Sequence, residues 1–390
     1  MFRLQTMNEI SDVIYTQLDG SYAVRADEKT PDAILVRSAS LHDMAFPPSL
    51  LAIARAGAGV NNIPLDDCSA QGICVFNTPG ANANAVCELV VAGLLLSSRD
   101  VAGGIQWAQG LKGKGGEVPK LVEKGKNAFV GPELRGKKLG IIGLGAIGVL
   151  VANAAVALGM EVIGYDPAIS VEHAWRLSRS VQRAVSLDDL LANSDYVTIH
   201  IPLNDKTSGM FGTDTLRKLK RGARLLNFSR AELVNSTALL EAISSGVLAG
   251  YVVDFPTDDM LGVPGVTAIP HLGASTPESE DNCAAMAAAQ LRDYLEAGTI
   301  RNSVNLPDVE LAAPTKPRLA IVHQNIPNML SSIAATMGAQ GINISDMTNR
   351  SRNAMAYTVL DLDSAMEAVD ALAATLRGIE GIVRVRVILP

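Results

Sequence analysis

Two side chains with clear chemical uses stand at the ends of apolar runs. Arg230 ends the run ARLLNFSR, and His271 follows VTAIP. A histidine with an ordinary pKa exchanges protons at neutral pH, and an arginine fork matches a carboxylate with two hydrogen bonds. Arg230 could instead make a structural ion pair, but its place directly after a buried strand favours a ligand role. The two residues predict a site that binds an anion and moves a proton.

A carboxylate beside His271 would orient its imidazole and stabilise the charged form. Asp254, Asp258 and Asp259 follow one another closely after an apolar strand, and each of them could take this place. The residues alone leave the choice open. His200 also lies near a strand end, where we expect a structural role rather than a catalytic one.

The segment LGIIGLGAIG carries a glycine pattern between a predicted strand and a predicted helix. Gly143 makes the tight turn, Gly145 lets the backbone approach a pyrophosphate, and Gly148 lets helix and strand pack closely. The amides of Ala146 and Ile147 begin the helix and can bind phosphate oxygens. The pattern therefore predicts a dinucleotide site, with a degenerate nucleotide fold as the alternative.

The next predicted strand, EVIGYD, ends in Asp166, 18 residues after Gly148. An acid at about 20 residues from the glycine pattern binds the hydroxyls of the adenosine ribose. Because a carboxylate there repels the 2′-phosphate of NADP, we predict that the cofactor is NAD.

Composition narrows the class of protein. The chain has 390 residues, of which 48% are hydrophobic and 19% charged, so two or three packed domains are expected. A net charge of −7 argues against a nucleic-acid partner. The four cysteines lack metal-binding spacing, and we predict no metal. The apolar run from Val86 contains Glu88 and is too short for a bilayer, and the first residues do not read as a signal peptide, so we expect a cytoplasmic protein without a membrane partner.

Strand-like and helix-like stretches alternate along most of the chain, which predicts an α/β fold with ligands at the carboxyl ends of parallel strands. Residues 111–138 contain eight basic and three acidic side chains, and are either a solvated connector or a positive rim that attracts an anion. Residues 306–317 are rich in proline and predict a linker. The remaining tail has the order βαββαβ, a ferredoxin-like arrangement.

Several motifs together resemble one family. LGIIGLGAIG, YDP, HIPL, LLNFSR, VVDFP and IPHLGAST are similar to the motifs of the D-isomer-specific 2-hydroxyacid dehydrogenases. The tail from RLAIVHQN resembles an ACT regulatory domain. The resemblance covers nearly the whole chain.

The family implies a discontinuous flavodoxin-like substrate domain, formed by residues 1–97 and 272–305. A Rossmann NAD-binding domain, 98–271, is inserted within it, and the cleft between the two domains binds NAD and substrate. Residues 306–317 would then be the linker and 318–390 the ACT domain.

Residue by residue, the resemblance implies that Arg230 holds the substrate carboxylate and keto oxygen and that His271 is the acid/base. The family's third catalytic residue is a glutamate, and this chain has no glutamate in the corresponding stretch. Asp258 is the best match and Asp259 the second. The implied cofactor contacts are Thr78, Gly143, Gly145, Ala146, Ile147, Gly148, Asp166, Ile201, Pro202, Phe228, Ser229, Arg230, Asp254, His271, Gly273 and Ala274.

The resemblance also implies substrate and effector contacts. The implied substrate loop consists of Ala58, Gly59, Val60 and Asn61. The basic residues that would bind the substrate phosphate are Arg37, Arg55 and Lys126. The positions that would bind L-serine at a subunit interface are His323, Asn325 and Asn343. An ACT-like domain that binds nothing is the alternative. Asn328 replaces a common glycine in a turn, and asparagine tolerates the left-handed conformation required there.

The implied function is NAD-dependent oxidation of 3-phospho-D-glycerate, a phosphorylated 2-hydroxy acid, by a homodimer or homotetramer that serine regulates. One alternative is a reductase of hydroxypyruvate or glyoxylate, which the tail disfavours. Another is an NAD-sensing corepressor without enzymatic activity, which the tail also does not support.

Overall fold

The computed structural model describes residues 1–363 and 366–390. The chain divides into two compact units: unit 1 contains Met1–Ala81 and Glu280–Pro390, and unit 2 contains Asn82–Ser279. None of the helices in the described residues is both long and apolar enough to cross a membrane.

The elements are numbered along the chain. The strands are β1 (Phe2–Met7), β2 (Tyr22–Arg25), β3 (Ala33–Val36), β4 (Ala52–Arg55), β5 (Cys74–Phe76), β6 (Lys138–Ile142), β7 (Glu161–Tyr165), β8 (Gln182–Arg183), β9 (Tyr196–Ile199), β10 (Ala223–Asn227), β11 (Leu248–Val253), β12 (Val266–Ala268), β13 (Arg318–Gln324), β14 (Asn343–Arg352), β15 (Met355–Asp363) and β16 (Ile382–Ile388). The helices are α1 (Leu65–Ala70), α2 (Ala83–Ser98), α3 (Val101–Gln109), α4 (Val118–Gly125), α5 (Ala146–Ala157), α6 (Val171–Arg176), α7 (Leu187–Asn193), α8 (Thr213–Leu216), α9 (Ser236–Ser244), α10 (Pro277–Ala297), α11 (Met329–Ala339) and α12 (Met366–Leu376).

Unit 2 is built on a seven-stranded parallel sheet in the order β12-β11-β10-β9-β6-β7-β8. Numbered within the unit, this order is the doubly wound arrangement that places ligands at the carboxyl ends of its strands. Strands such as Tyr196–Ile199 are buried along their whole length, as expected when helices cover both faces of a parallel sheet. The predicted Rossmann fold is confirmed.

Unit 1 contains a five-stranded parallel sheet in the order β2-β1-β3-β4-β5, which is the flavodoxin-like order. It also contains the antiparallel sheet β14-β15-β13-β16, so the predicted βαββαβ order is present. Asn328 precedes α11 in the left-handed conformation, with φ 68°, as its sequence position predicted.

The division of the chain differs from the one implied by the family. Helix α2 falls in unit 2, not in the outer domain, because Val90 and Leu94 share a core with Leu139 and Val149. Gly93 leaves no room for a Cβ, which would lie 2.8 Å from the Phe228 ring. The first boundary therefore lies after Ala81.

The predicted linker and the separate tail also need correction. Leu306 and Val309 are buried, and Val309 pairs with Ile300 in a β-bridge. One face of the antiparallel sheet, with Val322 and Tyr357, belongs to the same hydrophobic core as the five-stranded sheet. The sheet has an apolar face opposite its own helices, and burying that face against the rest of unit 1 removes it from water.

The basic segment 111–138 is partly helical. It contains α4, and the Phe129 ring packs on Trp107 with 5.6 Å between ring centroids. Lys126 lies on the surface and pairs with Glu123.

Candidate active site

The glycine-rich turn after β6 has the geometry that a dinucleotide requires. Gly143 has φ +89°, and a Cβ there would lie 2.3 Å from the His200 carbonyl oxygen. A Cβ on Gly148 would lie 2.0 Å from the Gly143 carbonyl oxygen, whereas nothing lies within 4 Å of one on Gly145. The turn is therefore closed on the protein side and open at Gly145, where a pyrophosphate can approach the start of α5, which begins at Ala146 and Ile147.

Asp166 is held beside this turn. Its Oδ2 accepts a hydrogen bond from the Leu144 amide at 2.9 Å, and its Oδ1 accepts one from the Ala168 amide at 2.8 Å. Each carboxylate oxygen keeps a further lone pair, so the oriented carboxylate can still accept hydroxyl protons from a ribose. The sequence prediction of Asp166 fits this geometry.

In the sheet order the loop after β9 lies next to the turn, and the loop after β10 lies one strand further out. Ile201 packs against Gly143, and Pro202 follows it in the chain. The Ser229 hydroxyl donates to the Ile199 carbonyl oxygen at 2.7 Å, while Phe228 is buried against Gly93. These contacts fix the backbone of the two loops on one side of the turn.

Asp254, directly after β11, is a buried carboxylate with an unsatisfied oxygen. The residue is 2% exposed, and among the described residues its Oδ1 has no hydrogen-bond partner. Burial raises the pKa of Asp254 to about 6, against the opposing effects of a backbone hydrogen bond and of Arg230. Gly273, followed by Ala274, lies against its other oxygen. An unpaired acceptor of this kind suits an amide N–H donor, which a nicotinamide carboxamide supplies.

Arg230 follows β10 and is exposed. Its Nη1 donates to the Ser229 carbonyl oxygen at 2.7 Å, and its guanidinium lies 5.7 Å from the centroid of the Phe255 ring. In the part of the chain that the structure describes, no carboxylate forms an ion pair with it. The structural ion pair that was the alternative is therefore absent from these residues, and the fork is available to an anion.

His271 also lies against the Phe255 ring. The two ring centroids are 4.2 Å apart and the rings are inclined by 45°. Partial burial and then the charge of Arg230 lower the pKa of the His271 imidazole. A neutral imidazole is a proton acceptor, which is the form that oxidation of an alcohol needs.

The structure does not bring a carboxylate to His271. Asp258 and Asp259 begin a short 3-10 turn that is anchored by buried Met260, and Asp259 accepts a hydrogen bond from the Thr257 hydroxyl. Across residues 1–363 and 366–390 no hydrogen bond joins either aspartate to the imidazole. The short loop after Asp254 presents the Phe255 ring to the imidazole, and the catalytic role of Asp258 stays a prediction.

The predicted substrate groups of unit 1 form a cluster of their own. Arg37 pairs with Glu280, and the Arg55 Nε donates to the Arg37 carbonyl oxygen at 3.0 Å. The predicted substrate loop follows β4 and consists of Ala58, Gly59, Val60 and Asn61. Its Asn61 carbonyl oxygen lies 3.0 Å from Nε2 of His42.

Thr78 is buried, and its hydroxyl accepts a hydrogen bond from the Gly57 amide at 2.8 Å. A direct cofactor contact by this side chain stays a prediction.

The predicted effector residues do not converge within one chain. His323 is 2% exposed, with Nε2 2.9 Å from the Thr358 hydroxyl and Nδ1 2.7 Å from the Gln324 carbonyl oxygen. It pairs with Ala356 of β15, whereas Asn343 pairs with Asp363 at the other end of that strand. Seven residues at about 3.4 Å each separate the two positions by roughly 24 Å. Asn325 is exposed near His323 and donates to the Asn353 carbonyl oxygen at 3.1 Å.

Two features could not be found from the sequence. His200 Nε2 lies 3.0 Å from the Thr198 hydroxyl, and in the described residues its Nδ1 is buried without a partner. Burial lowers the pKa of His200 to about 4. The ion pair of Arg37 joins residues 243 positions apart. In both cases the environment is created by distant segments, and no local pattern indicates it.

Comparisons with known proteins define the class. Residues 94–273 match the family described as D-isomer specific 2-hydroxyacid dehydrogenase, NAD binding domain. The chain is 34% identical over 350 residues to the D-3-phosphoglycerate dehydrogenase of Escherichia coli strain K12, which covers 87% of this chain and 82% of the relative. The chain therefore belongs to the D-isomer specific 2-hydroxyacid dehydrogenase family, and unit 2 carries that family's NAD-binding domain.

Solved structures show the same fold. The apo form of D-mandelate dehydrogenase from Rhodotorula graminis superposes with a TM-score of 0.66 at 22% identity, covering 80% of this chain and 99% of that one. The NAD⁺-bound 3-phosphoglycerate dehydrogenase of Entamoeba histolytica gives a TM-score of 0.59 at 24% identity, with coverages of 78% and 98%.

Proposed function

We propose that the protein oxidises 3-phospho-D-glycerate to 3-phosphohydroxypyruvate with NAD, the first step of serine synthesis. The observation that carries the chemistry is that Arg230 and His271 both lie against the Phe255 ring, at the carboxyl edge of the cofactor-binding sheet. The choice of substrate is supported by the Escherichia coli relative, which is named for this reaction and matches most of both chains.

The reaction needs one anion-binding group and one proton acceptor. The Arg230 fork binds the substrate carboxylate, and the neutral His271 imidazole takes the proton of the C2 hydroxyl as the C2 hydride departs. NAD, when bound, supplies the acceptor for that hydride. Partial burial and then the positive charge of Arg230 lower the pKa of His271, which favours the neutral imidazole before the reaction. In the reverse direction the imidazolium returns the proton to the keto oxygen.

Residues of unit 2 would hold the cofactor. The turn at Gly143–Gly148 would hold the pyrophosphate and Asp166 the adenosine ribose. The buried Oδ1 of Asp254, which has no partner in the described residues, would accept a hydrogen bond from the nicotinamide carboxamide. The free lone pairs of Asp166 and the space at Gly145 support this assignment.

Unit 1, taken by itself, carries the other candidate groups for the substrate. Backbone amides of the Ala58–Asn61 loop bind its carboxylate, and Arg37 and Arg55 attract its phosphate. Because Arg37 is paired with Glu280 through partly exposed side chains, a phosphate dianion can compete for it. Lys126 on unit 2 is the weakest member of this set, since it is exposed and paired with Glu123.

We extend the proposal to L-serine as an effector and to a homo-oligomer. His323 and Asn343 lie at opposite ends of β15, so a site that uses both requires two copies of the chain. A serine titration of the activity, with the protein's oligomeric state measured alongside, tests this extension.

The activity is tested by NADH oxidation with three keto acids: 3-phosphohydroxypyruvate, hydroxypyruvate and glyoxylate. We expect kcat/KM to be highest for 3-phosphohydroxypyruvate. Preference for either of the other two would make the protein a different reductase of the same family. No turnover with any of them would favour a non-catalytic NAD sensor.

A further inference from the structure

The residues Asn77 and Thr78 hold the start of the substrate loop by three hydrogen bonds. The Gly57 amide donates to the Thr78 hydroxyl at 2.8 Å, and the Thr78 amide donates back to the Gly57 carbonyl oxygen at 3.1 Å. The Asn77 side-chain amide donates to the Ala58 carbonyl oxygen at 2.6 Å. Two consecutive residues after β5 therefore fix two consecutive residues after β4.

Gly57 is a position where the backbone needs such support. It has φ +151°, and a Cβ there would lie 2.6 Å from Nη1 of Arg55. Glycine is the residue that fits, but glycine is also the residue with the greatest conformational freedom. The Gly57 amide also donates to the Arg55 carbonyl oxygen at 2.9 Å within its own loop, and the hydrogen bonds from Asn77 and Thr78 add the support from outside.

The holding segment is itself anchored from a third element. The Gln290 side chain on α10 is buried and donates to the Asn77 carbonyl oxygen at 3.1 Å, and the Asn77 amide donates to the Asn302 carbonyl oxygen at 3.3 Å. A chain of contacts thus runs from α10 through Asn77 and Thr78 to Gly57 and lies wholly within unit 1.

We propose that Thr78 and Asn77 are positioning residues that set the substrate-loop backbone for the keto acid, and that the Thr78 hydroxyl acts through Gly57 and not through the cofactor. The inference rests on the proposed function, because it takes the Ala58–Asn61 backbone as a substrate contact. It separates two roles for Thr78: a cofactor contact would change the KM for NADH, and a loop support changes the KM for the keto acid.

The test compares Thr78→Val, which removes the hydroxyl and keeps the shape, with Thr78→Ser, which keeps the hydroxyl. Loss of one partner of a partly buried amide has a cost that corresponds to roughly a tenfold change. We therefore expect Thr78→Val to raise the KM for 3-phosphohydroxypyruvate about tenfold, with the KM for NADH within about twofold of wild type. Thr78→Ser should restore the wild-type KM.

Thr336→Val is the matched control, because the Thr336 hydroxyl donates to the Ser332 carbonyl oxygen within α11, away from the loop. It should leave both KM values unchanged. If Thr78→Val is too unstable to assay, Asn77→Leu removes the bond to the Ala58 carbonyl oxygen and should raise the same KM. A rise in the KM for NADH alone, or failure of Thr78→Ser to restore the KM, would overturn the proposal.

Failure of the proposed function gives a different result. If wild type prefers glyoxylate, the same variants are compared on glyoxylate, and the support of the loop is still tested. If no keto acid is turned over, hydrogen exchange of the Gly57 amide reports the support directly. Exchange should be faster in Thr78→Val than in wild type or Thr78→Ser, and equal exchange in all three contradicts it.

Discussion

The glycine-rich turn after β6 and the loop after β11 lie on the same edge of one sheet, but they differ in how far local chemistry determines them. At the turn, each required feature is a backbone property of one residue: the positive φ of Gly143 and the missing Cβ of Gly148. At the loop, the important feature is which side chain meets His271, and the structure places Phe255 there. The backbone requirements of the turn can be recognised from single residues, whereas the pairing of two side chains depends on the conformation of the whole loop.

The largest effect is expected at His271, which the Phe255 ring of the loop after β11 contacts. His271→Asn removes the imidazole that accepts the proton and replaces it with a side chain of similar size. We therefore expect kcat to fall by about 10²–10⁴-fold. The KM for NADH should change little, because the glycine-rich turn is untouched. Steady-state kinetics in both directions checks this, and kcat near the wild-type value would remove His271 from the mechanism.

The turn is tested by a pair of glycine substitutions. Gly148→Ala places a Cβ 2.0 Å from the Gly143 carbonyl oxygen and must displace helix α5 from β6, so NADH binding should weaken at least about tenfold. Gly145→Ala meets no protein atom within 4 Å and serves as the control for folding. Both variants should unfold in a single cooperative thermal transition. Gly145→Ala should lose affinity for NADH only because its methyl group meets the cofactor.

The pair is read by fluorescence titration with NADH and by thermal melting. Because only the Cβ at position 148 meets protein atoms, Gly148→Ala should lower the melting temperature more than Gly145→Ala does. The opposite order would show that the turn is not packed as described.

A smaller effect is expected from His200, whose carbonyl contacts the turn. Burial lowers the pKa of His200 from 6.5 to about 4, so the folded state binds fewer protons than the unfolded state between these values. The contribution of this group to stability is complete above pH 6.5 and is lost as the pH falls through 4, by roughly 3 kcal/mol in the limit. Asp254, with a raised pKa, acts in the opposite direction over a similar range.

The difference between wild type and His200→Gln isolates this contribution. Urea unfolding at pH 7 and pH 5 should show wild type losing more stability on acidification than the variant. Equal losses would mean that the imidazole is solvated or paired in the folded protein.

The same contrast explains how much of the protein could be predicted from its sequence. The predicted strands LGIIG, EVIGYD and ARLLNFSR, the glycine-rich turn and the left-handed Asn328 follow from local patterns, and the structure contains all of them. The shared core of the tail with unit 1 was not predicted. The continuous apolar run LAIV in β13 indicates a strand that is buried on both faces, but it does not indicate which part of the chain covers the second face. Gln290 meets Asn77 across 213 residues, and no local pattern indicates such a partner.

We propose that His271 works as a base with a lowered pKa next to Phe255 and Arg230, and in the described residues no carboxylate forms a hydrogen bond with it. The pH dependence of kcat/KM for 3-phosphoglycerate oxidation, in wild type and in Asp258→Asn, tests it most directly. We predict a basic group with a pKa below 6.5 in wild type, unchanged in the variant. A carboxylate partner would stabilise the imidazolium and raise its pKa. A wild-type pKa above 6.5 that falls in Asp258→Asn would therefore show that Asp258 assists His271, contrary to this proposal.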